Sequence, residues 1–343
     1  MNPIMMSIII SSLALGTVIT MSSSHWLLAW IGLELNTLAI IPIIAKQHHP
    51  RATEATTKYF LIQAAASATV LFSSTVNAWS TGTWDIMQLT NPYACIMLTM
   101  ALSMKLGLAP LHFWLPEVLQ GTSMKTALII TTWQKLAPMS LLYLIHHSIN
   151  TTTLLIMGLM STMIGGWGGL NQTQTRKIMA YSSIAHLGWM ASILTLSPNL
   201  MLLNLTLYLM MTLSTFMLLM FSSSKTIKDL TTSWTISPTT TTMMLLLLMS
   251  MAGLPPLTGF MPKWMILQDL TTHNLPTAAT ILALSALLSL FFYLRLTYMT
   301  TLTMSPTTTQ NKLKWRLQPK FKTTLLTATT TISILLLPIT PTL

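Results

Sequence analysis

The chain has 343 residues, of which 52% are hydrophobic and only 7% are charged. A soluble domain carries roughly 25% charged residues because its surface must be solvated, so this composition excludes a soluble protein. The single cysteine, Cys95, excludes a disulfide-rich secreted scaffold. The composition therefore indicates a polytopic membrane protein.

Apolar runs along the chain are long enough to cross a bilayer as helices, which requires about 20 residues each. Counting them predicts eleven spans with the approximate bounds 3–23, 25–45, 57–79, 92–116, 123–146, 150–170, 174–196, 199–221, 240–262, 275–297 and 323–342. The period-2 alternation of barrel strands is absent from the sequence. We therefore expect an all-α polytopic membrane protein with about 11 transmembrane helices.

Basic residues are concentrated in every second connection. The connections after the even-numbered predicted spans contain Lys46, Arg51, Lys58, Lys125, Arg176, Lys177, Lys225, Lys228, Lys312, Lys314, Arg316, Lys320 and Lys322. By the positive-inside rule, these connections and the amino terminus face the cytoplasm or an organelle matrix, and the carboxyl terminus faces the opposite compartment. Because membrane topology accounts for the net charge of +11, the charge does not predict a nucleic-acid partner.

A ten-residue segment recurs at an offset of 146 residues. Residues 107–116 and 253–262 both read Gly-Leu-x-Pro-Leu-x-x-aromatic-aliphatic-Pro. Proline removes a backbone donor, so each copy predicts a transmembrane helix that is broken within the membrane. The freed carbonyl groups must face protein or a watery cavity. The predicted helix-breaking residues are Pro110, Pro116, Pro255, Pro256 and Pro262.

The two copies predict an inverted repeat, because they fall in spans four and nine and must therefore cross the membrane in opposite directions. We expect one membrane domain with a first repeat at 1–147, a second repeat at 148–298, and a polar connection and last helix at 299–343. Inverted repeats with a broken helix in each half are typical of secondary transporters. The alternative is a coincidence of two proline kinks.

Four ionisable side chains lie within the predicted spans or at a break, namely Glu34, Lys105, Lys135 and Lys263. A charged side chain near the bilayer centre costs on the order of 2.5–3.5 kcal/mol on insertion scales, so it needs a reason to be there. Pairing of Glu34 with Lys105 would cancel charge within the first repeat. Opening such a pair changes how readily the lysine holds its proton. The alternative is a set of static salt bridges.

Two histidines are further candidate site residues, and the sequence contains no cofactor-binding motif. His112 lies at the first break and His186 within span seven, where each is either a water-linked proton carrier or a packing residue. One cysteine cannot ligate an iron–sulfur cluster, and no nucleotide-binding glycine motif is present. We expect no cofactor and no metal on this chain, so redox or ATP energy must come from elsewhere.

Five blocks of sequence resemble a known family over essentially the whole chain. The blocks are residues 30–36, 105–118, 133–138, 180–189 and 253–260. They resemble the subunit 2 family of NADH dehydrogenase, the antiporter-like (Mrp-type) membrane subunits of respiratory complex I, in the mitochondrially encoded animal form.

The resemblance implies a fold, a function and a set of site residues. It implies two inverted five-helix repeats, and a core subunit that contributes a proton-translocation path to the coupling of NADH oxidation by ubiquinone and is needed for assembly and activity. By motif, the path residues are Glu34, Lys105, Lys135 and Lys263, with His112 and His186 bridging the gaps between them. No redox chemistry is expected on this chain, because other subunits bind NADH, FMN, the iron–sulfur clusters and ubiquinone.

The resemblance also implies a location and partners. We expect a multi-pass protein of the mitochondrial inner membrane, with its amino terminus on the matrix side and its carboxyl terminus on the intermembrane-space side. The expected partners are antiporter-like subunit 4, subunit 4L, neighbouring core subunits, accessory subunits and lipids including cardiolipin, with no nucleic acid. Two alternatives stay open: a stand-alone cation/proton antiporter and a structural, non-conducting membrane subunit.

Overall fold

The computed structural model describes residues 2–46, 49–235, 237–302 and 323–338. Within these ranges the chain is all-α, and its extended pairings are two isolated bridges, between His25 and Asp85 and between Gln174 and Thr226. A helix satisfies its own backbone hydrogen bonds, which is what lipid demands of a spanning segment. The expectation of an all-α protein is confirmed.

The helices that precede residue 150 pack around one another in the first part of the chain. They are α1 (Pro3–Ser22), α2 (Trp26–Ala45), α3 (Pro50–Thr81), α4 (Pro92–Leu106), α5 (Trp114–Gly121), α6 (Met124–Thr131) and α7 (Trp133–Leu144).

The later helices follow after a short connection. They are α8 (Thr151–Gly169), α9 (Thr175–Ile193), α10 (Pro198–Phe221), α11 (Ile227–Thr231), α12 (Pro238–Ala252), α13 (Phe260–Thr272), α14 (Pro276–Leu302) and α15 (Thr324–Leu335).

Among the described residues, five helices are individually long and apolar enough to cross a bilayer, namely α1, α2, α3, α10 and α14. Helices α4, α12 and α15 are apolar but shorter. These helices confirm the expectation of a multi-pass membrane protein, and the total of eleven spans stays a prediction. Several bounds differ from those expected. Helix α3 begins at Pro50 instead of 57, and α14 ends at Leu302 instead of 297. The fourth span continues as α5 to Gly121 instead of ending at 116, and the ninth continues as α13 to Thr272 instead of ending at 262.

Two irregular segments interrupt the helices where the repeated sequence falls. Residues 107–113 separate α4 from α5, and residues 253–259 separate α12 from α13 at the same offset. Each segment begins with a glycine in the left-handed conformation, Gly107 at φ 80° and Gly253 at φ 86°. Such a glycine terminates a helix at little steric cost.

Only part of the predicted set of helix-breaking prolines lies in these segments. Pro110, Pro255 and Pro256 do, whereas Pro116 and Pro262 lie in the first turns of α5 and α13. For Pro116 and Pro262 the prediction is corrected, because a proline in the first turn lacks only an N–H that has no intrahelical partner.

The predicted span 123–146 is also divided, into α6 and α7, at Thr132. The Thr132 hydroxyl donates to the carbonyl oxygen of Leu128 over 2.7 Å, and the Thr131 hydroxyl donates to the same oxygen over 3.1 Å. Such side-chain bonds compete with the helical ladder and bend helices. This local competition explains a break that a count of apolar residues does not reveal.

The chain divides into two compact units. Unit 1 comprises residues 1–161 and 190–198, and unit 2 comprises residues 162–189 and 199–343. In unit 1, α1 and α2 cross closely at two glycines. A Cβ atom added at Gly16 would lie only 2.9 Å from the carbonyl oxygen of Gly32. In unit 2, α14 packs against α11, α12 and α13.

Candidate functional site: buried polar groups in each unit

A small polar cavity lies inside unit 1. Its volume is about 20 Å³, which is room for about one water molecule. The lining residues are Leu33, Asn36, Thr37, Tyr59, Gln63, Lys105, Leu106, Trp114, Ile130, Gln134, Lys135, Ala137 and Pro138. Two of the predicted site residues, Lys105 and Lys135, therefore share one buried space.

Lys105 lies in the last turn of α4, immediately before the first break. Its side chain is buried, and within the described residues its Nζ has no hydrogen-bond partner. The carbonyl groups at the end of a helix stabilise a cation placed there. The break therefore gives Lys105 a partly compensated position inside the membrane.

Glu34 lies in the middle of α2, close enough to Lys105 for its charge to act on that lysine. In the described part of the chain, however, no ion pair within 4.0 Å joins these two residues. The Oε2 atom of Glu34 is also buried without a hydrogen-bond partner. The side chains of Glu34 and Lys105 are thus not in direct contact.

Two uncharged donors satisfy carbonyl groups at the first break. The indole Nε1 of Trp114 donates to the carbonyl oxygen of Met104 over 3.1 Å, and the amide of Gln63 donates to the carbonyl oxygen of Lys105 over 3.5 Å. Sequence reasoning missed both roles. The available signal was Gln63, an amide side chain inside a predicted span.

Lys135 lies on α7 and is buried, with 4% of its surface exposed. The preceding residue ties α7 to α2, because the Gln134 amide donates to the carbonyl oxygen of Asn36 over 3.4 Å. Both polar atoms of the Asn36 side chain are buried without a partner among the described residues. Asn36 and Gln134 were missed as site residues, although both stand within the blocks that carry the family resemblance.

His112 lies in the irregular segment 107–113, where its ring packs against Phe113 at a centroid distance of 4.3 Å. The ring is buried, and its Nδ1 has no hydrogen-bond partner in the described ranges. His112 does not line the cavity that Lys105 and Lys135 share. Of the predicted residues of unit 1, the cavity thus unites the two lysines and leaves His112 outside.

Lys263 of unit 2 lies in the first turn of α13, directly after the second break. Its ammonium group donates to the carbonyl oxygen of Ala252 over 2.7 Å and to that of Met251 over 3.5 Å. These are the last carbonyl groups of α12, so Lys263 caps the broken end itself. The left-handed Gly253 makes room for it, since a Cβ atom there would lie 2.9 Å from Nζ.

His186 lies on α9 in unit 2 and is 6% exposed. Its ring packs against that of Tyr208 at a centroid distance of 5.6 Å and an angle of 43°. Tyr208 and the neighbouring buried tyrosine, Tyr293, were not predicted as site residues. Within apolar runs they look like ordinary core aromatics.

An exposed ion-pair cluster joins the second half of the first broken helix to α3. The ammonium group of Lys58 lies 2.5 Å from Glu54 on its own helix and 2.7 Å from Glu117 on α5. Because these groups are solvated, the cluster orients α5 without contributing much to stability.

A multi-pass helical protein with a broken helix at each copy of a repeated segment, and with buried lysines, is of the antiporter-like class of membrane proteins. The family described as NADH:quinone oxidoreductase/Mrp antiporter, transmembrane, matches residues 23–289, and the NADH dehydrogenase subunit 2 C-terminus family matches residues 290–343. The chain belongs to the NADH:quinone oxidoreductase/Mrp antiporter family, in its NADH dehydrogenase subunit 2 branch.

Individual relatives agree with this assignment. The chain is 61% identical over 341 residues to NADH-ubiquinone oxidoreductase chain 2 of Xenopus laevis, covering 99% of each chain. A chain of respiratory complex I from Thermus thermophilus with bound aureothin superposes with a TM-score of 0.82 at 23% identity, over 99% of this chain and 79% of that one. A chain of the Mrp complex from a Dietzia species has a TM-score of 0.77 at 17% identity, over 87% and 61%. These structural likenesses establish a shared fold.

Proposed function

We propose that the chain is a core membrane subunit of the proton-pumping NADH:ubiquinone oxidoreductase, respiratory complex I, in the mitochondrial inner membrane. Its family membership and its full-length identity to a relative named NADH-ubiquinone oxidoreductase chain 2 support this function. The observation that carries a role in proton transfer is the burial of Lys105 and Lys135 around one water-sized cavity. Burying a lysine inside a membrane is energetically costly, and such lysines are retained where ions or protons move.

The first unit supports a coupled proton carrier. Two ammonium groups that share a small buried space repel each other, so a proton on Lys135 disfavours a proton on Lys105. The negative charge of Glu34 favours the proton on Lys105. Movement of Glu34 toward or away from Lys105 therefore shifts the proton between the two lysines, with a water molecule in the cavity as the connection.

The proposed order of transfer begins on the matrix side. Protons enter through the second repeat, reside on Lys263 or Lys135, and move onward when the Glu34–Lys105 pair opens or closes. His112, His186 and bound water bridge distances that are too long for direct transfer.

The topology that we propose has eleven spans, with inverted five-helix repeats at 1–147 and 148–298 and a last helix within 299–343. The helix bounds support the repeat, because α12 ends 146 residues after α4 and α13 begins 146 residues after α5. The alternation of basic connections supports an amino terminus on the matrix side and a carboxyl terminus on the intermembrane-space side.

The proposed partners follow from membership in such a complex. Antiporter-like subunit 4, subunit 4L, other core and accessory subunits and cardiolipin surround the chain, while NADH, FMN, the iron–sulfur clusters and ubiquinone bind to other subunits. A stand-alone cation/proton antiporter is the second candidate, favoured by the fold shared with the Mrp complex. Purification of the chain as a free, transport-competent protein would establish that alternative.

The decisive experiment is Lys135→Met in the assembled complex in sealed inner-membrane vesicles. We expect normal assembly but a several-fold loss of coupled NADH:ubiquinone turnover or fewer protons moved per NADH, because a buried proton carrier is lost. Lys125→Met, at an exposed lysine of α6, is the matched control and leaves both quantities unchanged. Full pumping stoichiometry in a normally assembled Lys135→Met complex would indicate a structural, non-conducting subunit.

A further inference from the structure

Unit 2 contains a second buried polar cluster, formed by side chains of three helices. Ser182, Ser183 and His186 lie on α9, Tyr208 on α10 and Tyr293 on α14. Each of the five is at most 6% exposed. Residues three and four apart share a helix face, so both serines lie on the same side of α9 as His186. The cluster contains no carboxylate.

The direction of one hydrogen bond in the cluster follows from a proton count. The Ser183 hydroxyl donates to the carbonyl oxygen of Ala180 over 2.7 Å, and Ser183 is also hydrogen-bonded to the hydroxyl of Tyr208. A hydroxyl has a single proton to donate, so Tyr208 is the donor and Ser183 the acceptor. The oxygen of Tyr208 thereby keeps lone pairs with which it can accept hydrogen bonds.

The second tyrosine has unused hydrogen-bonding capacity. The hydroxyl of Tyr293 lies beside Ser182, whose own proton is donated to the carbonyl oxygen of Met179 over 2.7 Å. In the described part of the chain, the Tyr293 hydroxyl has no hydrogen-bond partner of ordinary distance and angle. Buried hydroxyls of this kind normally bind a polar partner or a water molecule.

The ring of Tyr208 adds a second kind of stabilisation. It lies 5.6 Å from the ring of His186, within the distance at which an aromatic face attracts a cation. Tyrosine oxygen lone pairs and an aromatic face together stabilise positive charge without forming an ion pair. A proton held in this way is released without breaking a strong salt bridge.

We propose that this hydroxyl cluster, made of Ser182, Ser183, His186, Tyr208 and Tyr293, is a proton-holding station in unit 2. It binds a water molecule or a hydronium ion beside His186, with neutral oxygen atoms in place of a carboxylate. Tyr208 and Tyr293 supply oxygen atoms that bind it directly. The station rests on the proposed proton-pumping function and adds to it four uncharged residues, Ser182, Ser183, Tyr208 and Tyr293, that no charge pattern reveals.

The test compares Tyr208→Phe and Tyr293→Phe in the assembled complex in sealed inner-membrane vesicles. Each variant keeps the ring and removes one oxygen atom. We expect a several-fold loss of coupled turnover, together with loss of the tyrosine hydroxyl band whose infrared frequency shifts in D2O. Proton uptake is followed with a pH-sensitive dye and NADH oxidation by absorbance.

The matched control is Tyr298→Phe, because Tyr298 lies on the same helix, α14, with 63% of its surface exposed. It leaves turnover and proton uptake unchanged. If a tyrosine variant does not assemble, Ser182→Ala and Ser183→Ala keep both rings and are expected to lower coupled turnover in the same direction.

Two outcomes separate this proposal from the proposed function. Wild-type turnover and proton uptake in both tyrosine variants, or in both serine variants where these are used, would overturn the station, while Lys135→Met still loses coupling. Retained pumping in Lys135→Met would instead overturn the proposed function, on which the station rests.

Discussion

The ammonium group of Lys263 donates a hydrogen bond to the carbonyl oxygen of Ala252 over 2.7 Å and so caps the broken end of α12. The last carbonyl groups of a helix lack intrahelical partners and carry partial negative charge. In unit 1, the neutral donors Trp114 and Gln63 satisfy carbonyl groups near the corresponding end of α4. The charge at the second break is therefore on the capping group itself, and at the first break it is on Lys105 within the helix.

Gly253→Ala should displace Lys263 from this position. The added Cβ atom would lie 2.9 Å from the lysine Nζ, and alanine at a φ of 86° is strained by about 1–2 kcal/mol. We expect lower thermal stability of the assembled complex and a several-fold loss of coupled turnover, measured on the same vesicle preparation.

Gly82→Ala is the control for Gly253→Ala. Gly82 is also left-handed, at a φ of 74°, but nothing lies within 4 Å of an added Cβ atom. It should lower stability to a similar extent and leave turnover unchanged. Equal turnover losses in the two variants would show that strain, and not the displacement of Lys263, is responsible.

Trp114→Phe should weaken the first break while preserving its aromatic packing. The substitution removes the donor to the carbonyl oxygen of Met104 and costs about 1 kcal/mol. Trp30→Phe removes a comparable bond, from the indole to the carbonyl oxygen of Ser67 at 3.2 Å, between α2 and α3. We expect both to lower the melting temperature slightly and only Trp114→Phe to lower turnover. A larger turnover loss for Trp30→Phe would contradict the importance of the break.

Glu34→Gln should abolish electrostatic control of Lys105 without changing the volume of the side chain. We expect turnover to become less dependent on the membrane potential, because the negative charge that attracts the lysine is gone. The control is Glu54→Gln, at an exposed carboxylate whose ion pair lies within α3. An unchanged potential dependence in Glu34→Gln would count against gating by this pair.

Asp229 should make one exposed turn of unit 2 sensitive to acid. Partial burial by itself would raise the pKa of this carboxyl, but hydrogen bonds from the backbone N–H groups of Thr226 and Lys225, at 2.9 and 3.0 Å, lower the pKa below its usual value. A carboxyl whose pKa is lower in the folded state stabilises the fold above its ordinary pKa, and this stabilisation is lost as the pH falls through the folded value.

Hydrogen exchange at the N–H groups of Lys225 and Thr226, corrected for the intrinsic pH dependence, measures this effect. Protection should fall in acid for the native chain. In Asp229→Asn it should be lower at neutral pH and independent of pH. Constant protection of the native chain down to acid pH would contradict the role of this carboxyl.

The sequence predicts much of the path but few of its contacts. Glu34, Lys105 and Lys135 are recognisable because an ionisable group in an apolar run is expensive in lipid, whatever its neighbours. Their relation to one another is not recognisable in the same way. That Lys105 and Lys135 share a cavity while Glu34 stops short of contact depends on how α2, α4 and α7 pack.

Composition and local chemistry alone determined that this is an all-α membrane protein with two interrupted helices. Apolar runs must form helices in lipid, and the left-handed conformations at Gly107 and Gly253 suit residues without a Cβ atom. Both conclusions rest on interactions within a few residues of each other along the chain.

Only the tertiary structure decided which groups satisfy the broken ends and which polar groups meet inside each unit. Gln63 lies far from Lys105 in sequence, and Tyr293 lies far from Ser182, yet each pair meets in the fold. An amide or a hydroxyl in an apolar run has no net charge to mark it as functional. Its role depends on the partner that helix packing brings to it.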